Sequence, residues 1–324
     1  MKRTGGKTVS FRTRERRHQT DYFRRKFEGK IGYGRSDVRL HPLHGTLNLW
    51  PGLHDSATRA FAEEPAIQWH QHANHGLSSQ VCCVNFLMPM AHRPDLLSRW
   101  VGHVLGIAPP EMLPLETRAG HDWYVAFEWI GDKDYLNEGG KGGSRKRGAN
   151  ATASDAAVKF RTSSGETHLV LIEWKYTEQY RNHRLSEDRR STRVKRYHDI
   201  SFQPNGPIRA DVGLDLADFF YEPFYQLLRQ QMLAWHVEHD AAAGIDRARV
   251  LHLSPSDNCE SHQVTSPGLQ DFGEDAFEAF TMVLANPGDF IGRTIEEAFA
   301  PLAGWPEAEW YPWLRDRYPT LCQV

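Results

Sequence analysis

The pattern of apolar and polar positions divides the chain into a helical first third, a strand-rich middle and a mixed final third. Apolar residues recur at helical spacing over residues 55–73, 78–87 and 94–105. Over residues 123–130 a two-residue period replaces that spacing, which predicts a strand with its odd-numbered residues on one face. The order of these elements predicts an α/β protein.

A hairpin is predicted in the middle of the chain. Residues 139–148 are glycine-rich and basic, which predicts a mobile surface loop. Asp155 then opens a strand over residues 156–160, and a short turn leads to a second strand with four successive apolar residues, 169–172. Further along, residues 223–239 predict a helix and residues 248–253 a strand, and the last helices are expected over residues 274–284 and 294–300.

The hairpin brings three charged residues together. Glu173 and Lys175 are two positions apart in a strand, so their side chains share one face. Asp155, near the start of the first strand, lies close to Glu173 near the end of the second. Buried charges of this kind are costly unless they serve each other, a metal or a substrate. A plain structural ion pair at a strand end is the alternative interpretation.

Composition describes a globular chain with a sizeable core: it has 324 residues, of which 40% are apolar and 11% aromatic. The apolar run around residues 81–91 is broken by Asn85 and Pro89, and neither a membrane span nor a secretory signal is predicted. The four cysteines lack CxxC spacing, which favours a reducing, cytoplasmic location without disulfides.

The net charge of -2 conceals an uneven distribution along the chain. Residues 1–30 carry 11 basic and 3 acidic residues and predict a flexible basic arm, and residues 141–200 carry 14 and 7. Residues 201–324, by contrast, carry 7 basic and 19 acidic residues. A positive field around an acidic centre suits a polyanionic substrate held against a cation, although charge runs can also be simple solvated faces.

Two converging carboxylates are suitable ligands for Mg²⁺, which fills its remaining positions with water and phosphate oxygens. Asp155 and Glu173 are therefore predicted to hold Mg²⁺, for which Mn²⁺ can substitute. Lys175 would orient or help deprotonate a metal-bound water and stabilise charge on a phosphate under attack.

Asp155, followed 18 residues later by Glu173-Trp174-Lys175, resembles the motif of the PD-(D/E)xK nuclease superfamily. The resemblance covers residues 78–254 and implies a restriction-endonuclease-like core, a central mixed β-sheet flanked by helices, with helical additions at both ends. We expect one nuclease-like domain over residues 31–324, with a helical C-terminal extension over 255–324. The resemblance also implies that Asp155 and Glu173 bind the metal and that Lys175 assists the nucleophilic water. Ser154 stands where the nominal motif has proline.

Many superfamily members add an upstream acidic residue, and some add a glutamine on the helix after the catalytic strands. Glu128 on the predicted strand and Glu138 beside the glycine-rich segment are the candidates for the acid, and we favour Glu138. Gln226 and Gln230 resemble the glutamine, and Gln230 is included in the predicted site. An exposed helix amide is the alternative for either glutamine.

The resemblance implies a Mg²⁺-dependent phosphodiesterase that cleaves nucleic acid, with DNA as the expected substrate. A non-catalytic nucleic-acid-binding or interaction protein that retains the nuclease fold is the alternative. A glycosidase built on two carboxylates would require neither the metal nor the basic blocks.

His70, His72 and His75 have a spacing that could bind zinc, but no cysteine or acid accompanies them in the usual arrangement. A homodimer would suit double-strand cleavage, and no membrane partner is expected.

Overall fold

The computed structural model describes residues 9–139, 145–147, 151–180 and 187–323, with only the backbone of residues 187–192. The helices are α1 (Phe11–Lys26), α2 (His54–Ala62), α3 (Ser79–Leu87), α4 (Pro94–Leu105), α5 (Glu187–Ser201), α6 (Phe224–Glu238), α7 (Ala276–Val283), α8 (Ile295–Phe299) and α9 (Tyr311–Arg317). The strands are β1 (Glu111–Leu113), β2 (Glu116–Arg118), β3 (His121–Trp123), β4 (Val125–Trp129), β5 (Ser154–Arg161), β6 (Thr167–Trp174), β7 (Arg247–Ser254) and β8 (Phe290–Thr294). None of the helices in the described ranges is both long and apolar enough to cross a membrane.

A mixed six-stranded sheet forms the centre of the protein. β5 and β6 form an antiparallel hairpin, and β7 and β8 continue the sheet in parallel beyond β6. The other edge of β5 is shared by β1 and β4, both antiparallel to it, whereas β2 and β3 form a separate pair. The fold is therefore the α/β fold with a central mixed sheet that the sequence predicts, and the predicted hairpin is confirmed.

The two faces of the sheet pack against different helices. Ile172 of β6 belongs to the apolar cluster that contains residues of α3, α4, α8 and α9. Leu171, its neighbour, belongs to the cluster that contains residues of α6 and α7. Since side chains alternate along a strand, Glu173 and its cross-strand neighbour Asp155 lie on the α6 side of the sheet.

The first basic block differs from the predicted flexible arm. Residues 11–26 form α1, which is capped by Ser10 and ends with three basic residues that complement the helix dipole. Its buried residues are Phe11, Glu15, Gln19, Tyr22 and Phe23. Two of these five are polar, so the apolar positions alone do not show the helical spacing. The Tyr176 hydroxyl donates to Glu15 (2.6 Å), which joins α1 to the chain just beyond β6. Residues 1–8 lie outside the described residues.

Two of the predicted elements are shorter than expected. The helix predicted over residues 55–73 ends at Ala62, ahead of Pro65, which cannot continue a helix interior. The strand predicted over residues 123–130 is divided into β3 and β4 at Tyr124, whose backbone N–H donates to Ala91 (2.9 Å). A proline ends the first element and a hydrogen bond to Ala91 divides the second, and the spacing of apolar residues predicts neither.

The alternation within β4 is also not the predicted one. Phe127 packs in the cluster on the α3 side, whereas Trp129 packs against the cluster on the α6 side. Between them, Glu128 has a φ of +48°, a value that non-glycine residues rarely adopt. The prediction that Phe127 and Trp129 share a face is therefore wrong, because the backbone turns over at Glu128.

Most of the predicted glycine-rich loop, including residues 140–144, lies outside the described residues. Arg147 is described, and it is buried rather than part of a mobile surface. Its guanidinium donates to the backbone carbonyls of Phe127 and Glu128 and pairs with the Glu116 carboxylate (2.6 Å). This part of the segment thereby fixes the unusual backbone of β4 in place.

Candidate active site

The sheet aligns three acidic residues on neighbouring strands. Asp155 precedes the pair Ala156–Ile172 of β5 and β6, which puts it beside Glu173, and Glu128 lies between the pairs Phe127–Ala156 and Trp129–Ser154 of β4 and β5. β7 adds His252, which is paired with Glu173. Opposite residues on adjacent antiparallel strands have Cβ atoms about 5 Å apart, so the three carboxylates form a compact acidic row.

Glu173 is buried, and both of its carboxylate oxygens accept hydrogen bonds. Lys175 Nζ lies 2.5 Å from Oε1, and Gln230 Nε2 on α6 lies 2.9 Å from Oε2. The same Gln230 amide donates to the Ala153 carbonyl (2.7 Å), and the Lys175 backbone N–H donates to Leu253 (2.8 Å). Lys175 is thus held just beyond the end of β6, with its ammonium turned back onto Glu173.

Asp155 is half-buried, and its Oδ2 accepts a hydrogen bond from the backbone N–H of Trp174 (2.7 Å). Burial, together with the nearby Glu173 charge, raises the pKa of Asp155 well above its usual value. Burial also raises the pKa of Glu173, against the opposing effect of Lys175. Burial alone would lower the pKa of Lys175, but the Glu173 carboxylate raises it, so Lys175 is held as an ammonium.

Asp155 and Glu173 are the residues that could hold a divalent cation here. Two carboxylates whose charged forms are disfavoured by burial and by each other gain from a cation placed between them. Asp155 lines an open cleft, where water and phosphate oxygens could complete the coordination of Mg²⁺. Within the described ranges no group of three or more His, Cys, Asp or Glu side chains has the arrangement of a metal site.

Glu128 points toward the start of α3. Its Oε1 accepts a hydrogen bond from Gln80 Nε2 (2.8 Å) and lies 3.2 Å from His70 Nε2. Its positive φ costs about 1–3 kcal/mol, a cost that backbones tend to bear at functional sites. The Glu128 charge contributes to the raised pKa values of both Asp155 and Glu173, so it belongs electrostatically to the acidic row.

Glu138 has a different environment in the wall of the same cleft. It accepts hydrogen bonds from the Thr152 hydroxyl (2.8 Å) and backbone N–H, and from the Tyr197 hydroxyl (2.5 Å). Arg229 pairs with it at 3.4 Å. These donors therefore engage the Glu138 carboxylate in the cleft wall, whereas the Glu128 charge acts on Asp155 and Glu173. The assignment of Glu138 as the upstream acid stays a prediction.

The cleft in front of Asp155 has a volume of about 660 Å³ and a basic, aromatic wall. The members of that wall on α5 and α6 are Arg193, Arg196, Tyr197, Tyr225 and Arg229. The Arg193 and Arg229 guanidiniums lie 4.6 Å and 5.4 Å from the centre of the Tyr225 ring. Arg193 Nη1 is buried and has no hydrogen-bond partner in the described part of the chain. Such a wall is suited to phosphate groups.

Sequence reasoning missed the role of this wall. In the sequence, Arg193 and Arg196 are only members of a basic block. The sequence also does not show that the Arg229 side chain, on a helix, faces the cleft. Gln226, the other glutamine candidate, also lines the cleft. A register drawn for the hairpin together with β7 could have indicated His252, which is buried beside Glu173.

Among the described residues, the three histidines considered for zinc belong to no group that could hold a metal ion. His70 lies beside Glu128, as described above. His72 contacts Arg39 (3.4 Å), and His75 Nδ1 accepts a hydrogen bond from the Leu77 backbone N–H (3.0 Å). The structure therefore gives no support to a zinc site built on these residues.

Comparison with known proteins identifies a family whose model matches this chain. The family model described as "Restriction Endonuclease associating with ARP" matches residues 16–319. No curated protein and no solved structure gives a significant match. The family match extends from within α1 to just beyond α9 and includes the whole acidic row. The chain therefore belongs to this family of restriction endonucleases associating with ARP, in agreement with the restriction-endonuclease-like fold that its motif predicts.

Proposed function

We propose that the chain is a Mg²⁺-dependent nuclease that hydrolyses phosphodiester bonds of nucleic acid, with DNA as the substrate to test first. The observation that carries the proposal is the convergence of Asp155, Glu173 and Lys175 beside a cleft walled by arginines. Membership of a restriction-endonuclease family supports the same class of reaction.

Each residue has a distinct role in this proposal. Asp155 and Glu173 hold the cation, which when bound activates water and neutralises charge at the phosphate. Lys175, whose pKa is raised by Glu173, acts as a charged hydrogen-bond donor to the attacking water or a phosphate oxygen. Gln230 holds the Glu173 carboxylate in orientation. Arg193 binds a phosphate group of the substrate strand.

A cleavage assay tests the proposal. Supercoiled, linear and single-stranded DNA, and RNA, are incubated with Mg²⁺, Mn²⁺ or EDTA. We expect Lys175→Met to reduce cleavage by about 10²–10³-fold, because it removes a donor aimed at developing charge. Lys195→Met, at an exposed position on α5, is the matched control and should cleave normally. Normal cleavage by a folded Lys175→Met protein would refute the proposal.

A non-catalytic nucleic-acid-binding protein of the same fold is the second candidate. The observation in its favour is that Lys175 and Gln230 already occupy both Glu173 oxygens, as they would in a purely structural network. Binding without cleavage in every metal, together with an absence of metal-dependent stabilisation, would support this candidate.

The partners and location remain proposals. The family description names an association with ARP, and we propose the same association for this chain. We also propose a homodimer for double-strand cleavage, because one such site cuts one strand at a time. A cytoplasmic location is proposed from the cysteine pattern.

A further inference from the structure

A second cavity adjoins the catalytic cleft, and His70 lines both. It has a volume of about 400 Å³, which is within the range of small-molecule sites. Its walls come from the segment ahead of α2, from the segment that contains His70, and from the first turn of α3. The proposed cleavage chemistry makes no use of this cavity.

The lining of the cavity suits a flat, partly polar ring. The indole of Trp69 stacks on Phe61, with ring centres 4.2 Å apart and planes inclined by 25°, which fixes the indole at the cavity wall. Tyr33 supplies a second aromatic ring and is 41% exposed. The Arg39 guanidinium lies 5.1 Å from the centre of the Tyr33 ring and is oriented by Asn74 (3.1 Å). Aromatic rings and guanidinium planes are the surfaces on which unpaired nucleobases stack.

One side chain holds this wall in a fixed relation to the acidic row. Gln80 Oε1 accepts from the His70 backbone N–H (2.8 Å), and Gln80 Nε2 donates to the Glu128 carboxylate (2.8 Å) and the Gln68 carbonyl (3.0 Å). The His70 ring stands between the cavity and Glu128. A strand with a phosphate at Asp155 would therefore lie in the cleft that shares His70 with this cavity.

We propose that the cavity binds one unpaired nucleobase of the strand that is cleaved. The inference rests on the proposed function, because it is that function which puts a nucleic-acid strand in the cleft. A base inside a duplex is stacked and paired, so it can enter only after leaving the stack. The preferred substrates are consequently single strands, or duplexes that present an extrahelical base near the cut.

The test measures binding and needs no cleavage. Protein with Lys175→Met is titrated with a single-stranded oligonucleotide that contains one 2-aminopurine, whose fluorescence falls when it stacks on an aromatic ring. The titration is repeated with an abasic site at that position, and with duplexes in which the 2-aminopurine is paired or bulged. We expect quenching of the single-stranded and bulged probes, and weaker binding of the abasic strand.

Two variants then locate the bound base. Tyr33→Ala should weaken binding of the single strand by about tenfold, whereas Tyr33→Phe retains it, because stacking requires only the ring. Gly45→Leu should abolish quenching, because Gly45 lines the cavity and a leucine side chain there would occupy it. A Cβ at this position is tolerated, since it would meet Asn74 Cβ at an ordinary 3.8 Å. Leu43→Ala is the control: this side chain is 83% exposed and lies outside the cavity lining, so binding should not change.

Three results would overturn the pocket. The first is equal affinity of the protein for the abasic and the intact strand. The second is quenching that persists in both Tyr33→Ala and Gly45→Leu. The third is tight binding of a free nucleoside triphosphate that does not compete with the oligonucleotide. The wild-type cleavage assay separates this inference from the proposed function. If the protein cuts DNA but binds the abasic strand as tightly as the intact strand, only the base pocket is refuted. If the protein quenches the probe but never cuts, the nuclease is refuted, and the cavity is left as a base-binding site on a strand that is not cleaved.

Discussion

The Asp155 carboxyl lies near two other carboxylates, and Asp155→Asn removes its charged form with little change of shape. Glu128 and Glu173 are its neighbours across β5. An asparagine would still present a carbonyl oxygen to the Trp174 backbone N–H, which now donates to Asp155 at 2.7 Å. The substitution therefore isolates the electrostatic contribution of the carboxylate from its hydrogen bond.

The repulsion can be sized from the sheet register. Opposite residues have Cβ atoms about 5 Å apart, and two like charges at that separation repel by about 3 kcal/mol at an effective dielectric constant of about 20. The Lys175 ammonium offsets part of this repulsion, as its opposing effect on the pKa of Asp155 indicates. We therefore expect Asp155→Asn to raise the free energy of unfolding by about 1–2 kcal/mol when no metal is bound.

Urea unfolding followed by circular dichroism at neutral pH measures this change, first in EDTA and then in Mg²⁺. At a metal concentration of about 100 times Kd, the wild type should gain about 2.7 kcal/mol of stability. Asp155→Asn should gain much less, because it lacks one of the two proposed ligands. Asp199→Asn is the control for the charge change itself, since the Asp199 side chain is 98% exposed.

Two outcomes would refute this reasoning. If Asp155→Asn is less stable than the wild type in EDTA, the carboxylate is not under net repulsion in the folded protein. If Mg²⁺ stabilises both proteins equally, the ion binds elsewhere, and the assignment of Asp155 as a ligand fails.

Two further predictions concern Gln230, which contacts Glu173, and His75, which lies in a separate cavity. Gln230→Leu should lower metal-dependent cleavage by about 10–100-fold with the fold retained, because Glu173 loses the donor that orients it; cleavage at the wild-type rate would show that this donor is dispensable. Burial, together with nearby Arg16 and Arg39, lowers the pKa of His75 to about 4, whereas its unfolded value is about 6.5. The unfolded chain thus binds more protons between these values, so stability that is present above pH 6.5 is lost as pH falls toward 4, by about 2–3 kcal/mol. His75→Asn should flatten this loss in urea titrations at several pH values, and an unchanged slope would contradict the assignment.

The central hairpin could be predicted because its signals are local. A run of four apolar residues, a short polar turn and the two-residue spacing of Glu173 and Lys175 each depend only on neighbours in sequence. An antiparallel pair with a short connection has a limited choice of registers, so the approach of Asp155 to Glu173 followed from the same signals.

The assignment of α1 failed for a physical reason. Its buried stripe includes Glu15 and Gln19, whose polar groups are satisfied by partners far along the chain: Tyr176 for both, and the Arg317 carbonyl for Gln19. Hydrophobic periodicity cannot identify a buried polar residue, because burial of that residue depends on distant donors and acceptors. A basic, weakly periodic sequence therefore resembled an arm.

The sequence alone determined the fold class, through the order of its elements and the resemblance of its motif. It also determined the hairpin and the three motif residues, because these follow from spacing along two strands. Tertiary structure decided where the two candidate upstream acids lie. Glu128 has a positive φ, its backbone carbonyl is held by Arg147, and its carboxylate accepts a hydrogen bond from Gln80 at the start of α3. Glu138 is engaged by Thr152, Tyr197 and Arg229 in the cleft wall. Tertiary structure likewise assembled the arginine wall and the aromatic cavity, since their members come from segments that only the packing of helices on the sheet brings together.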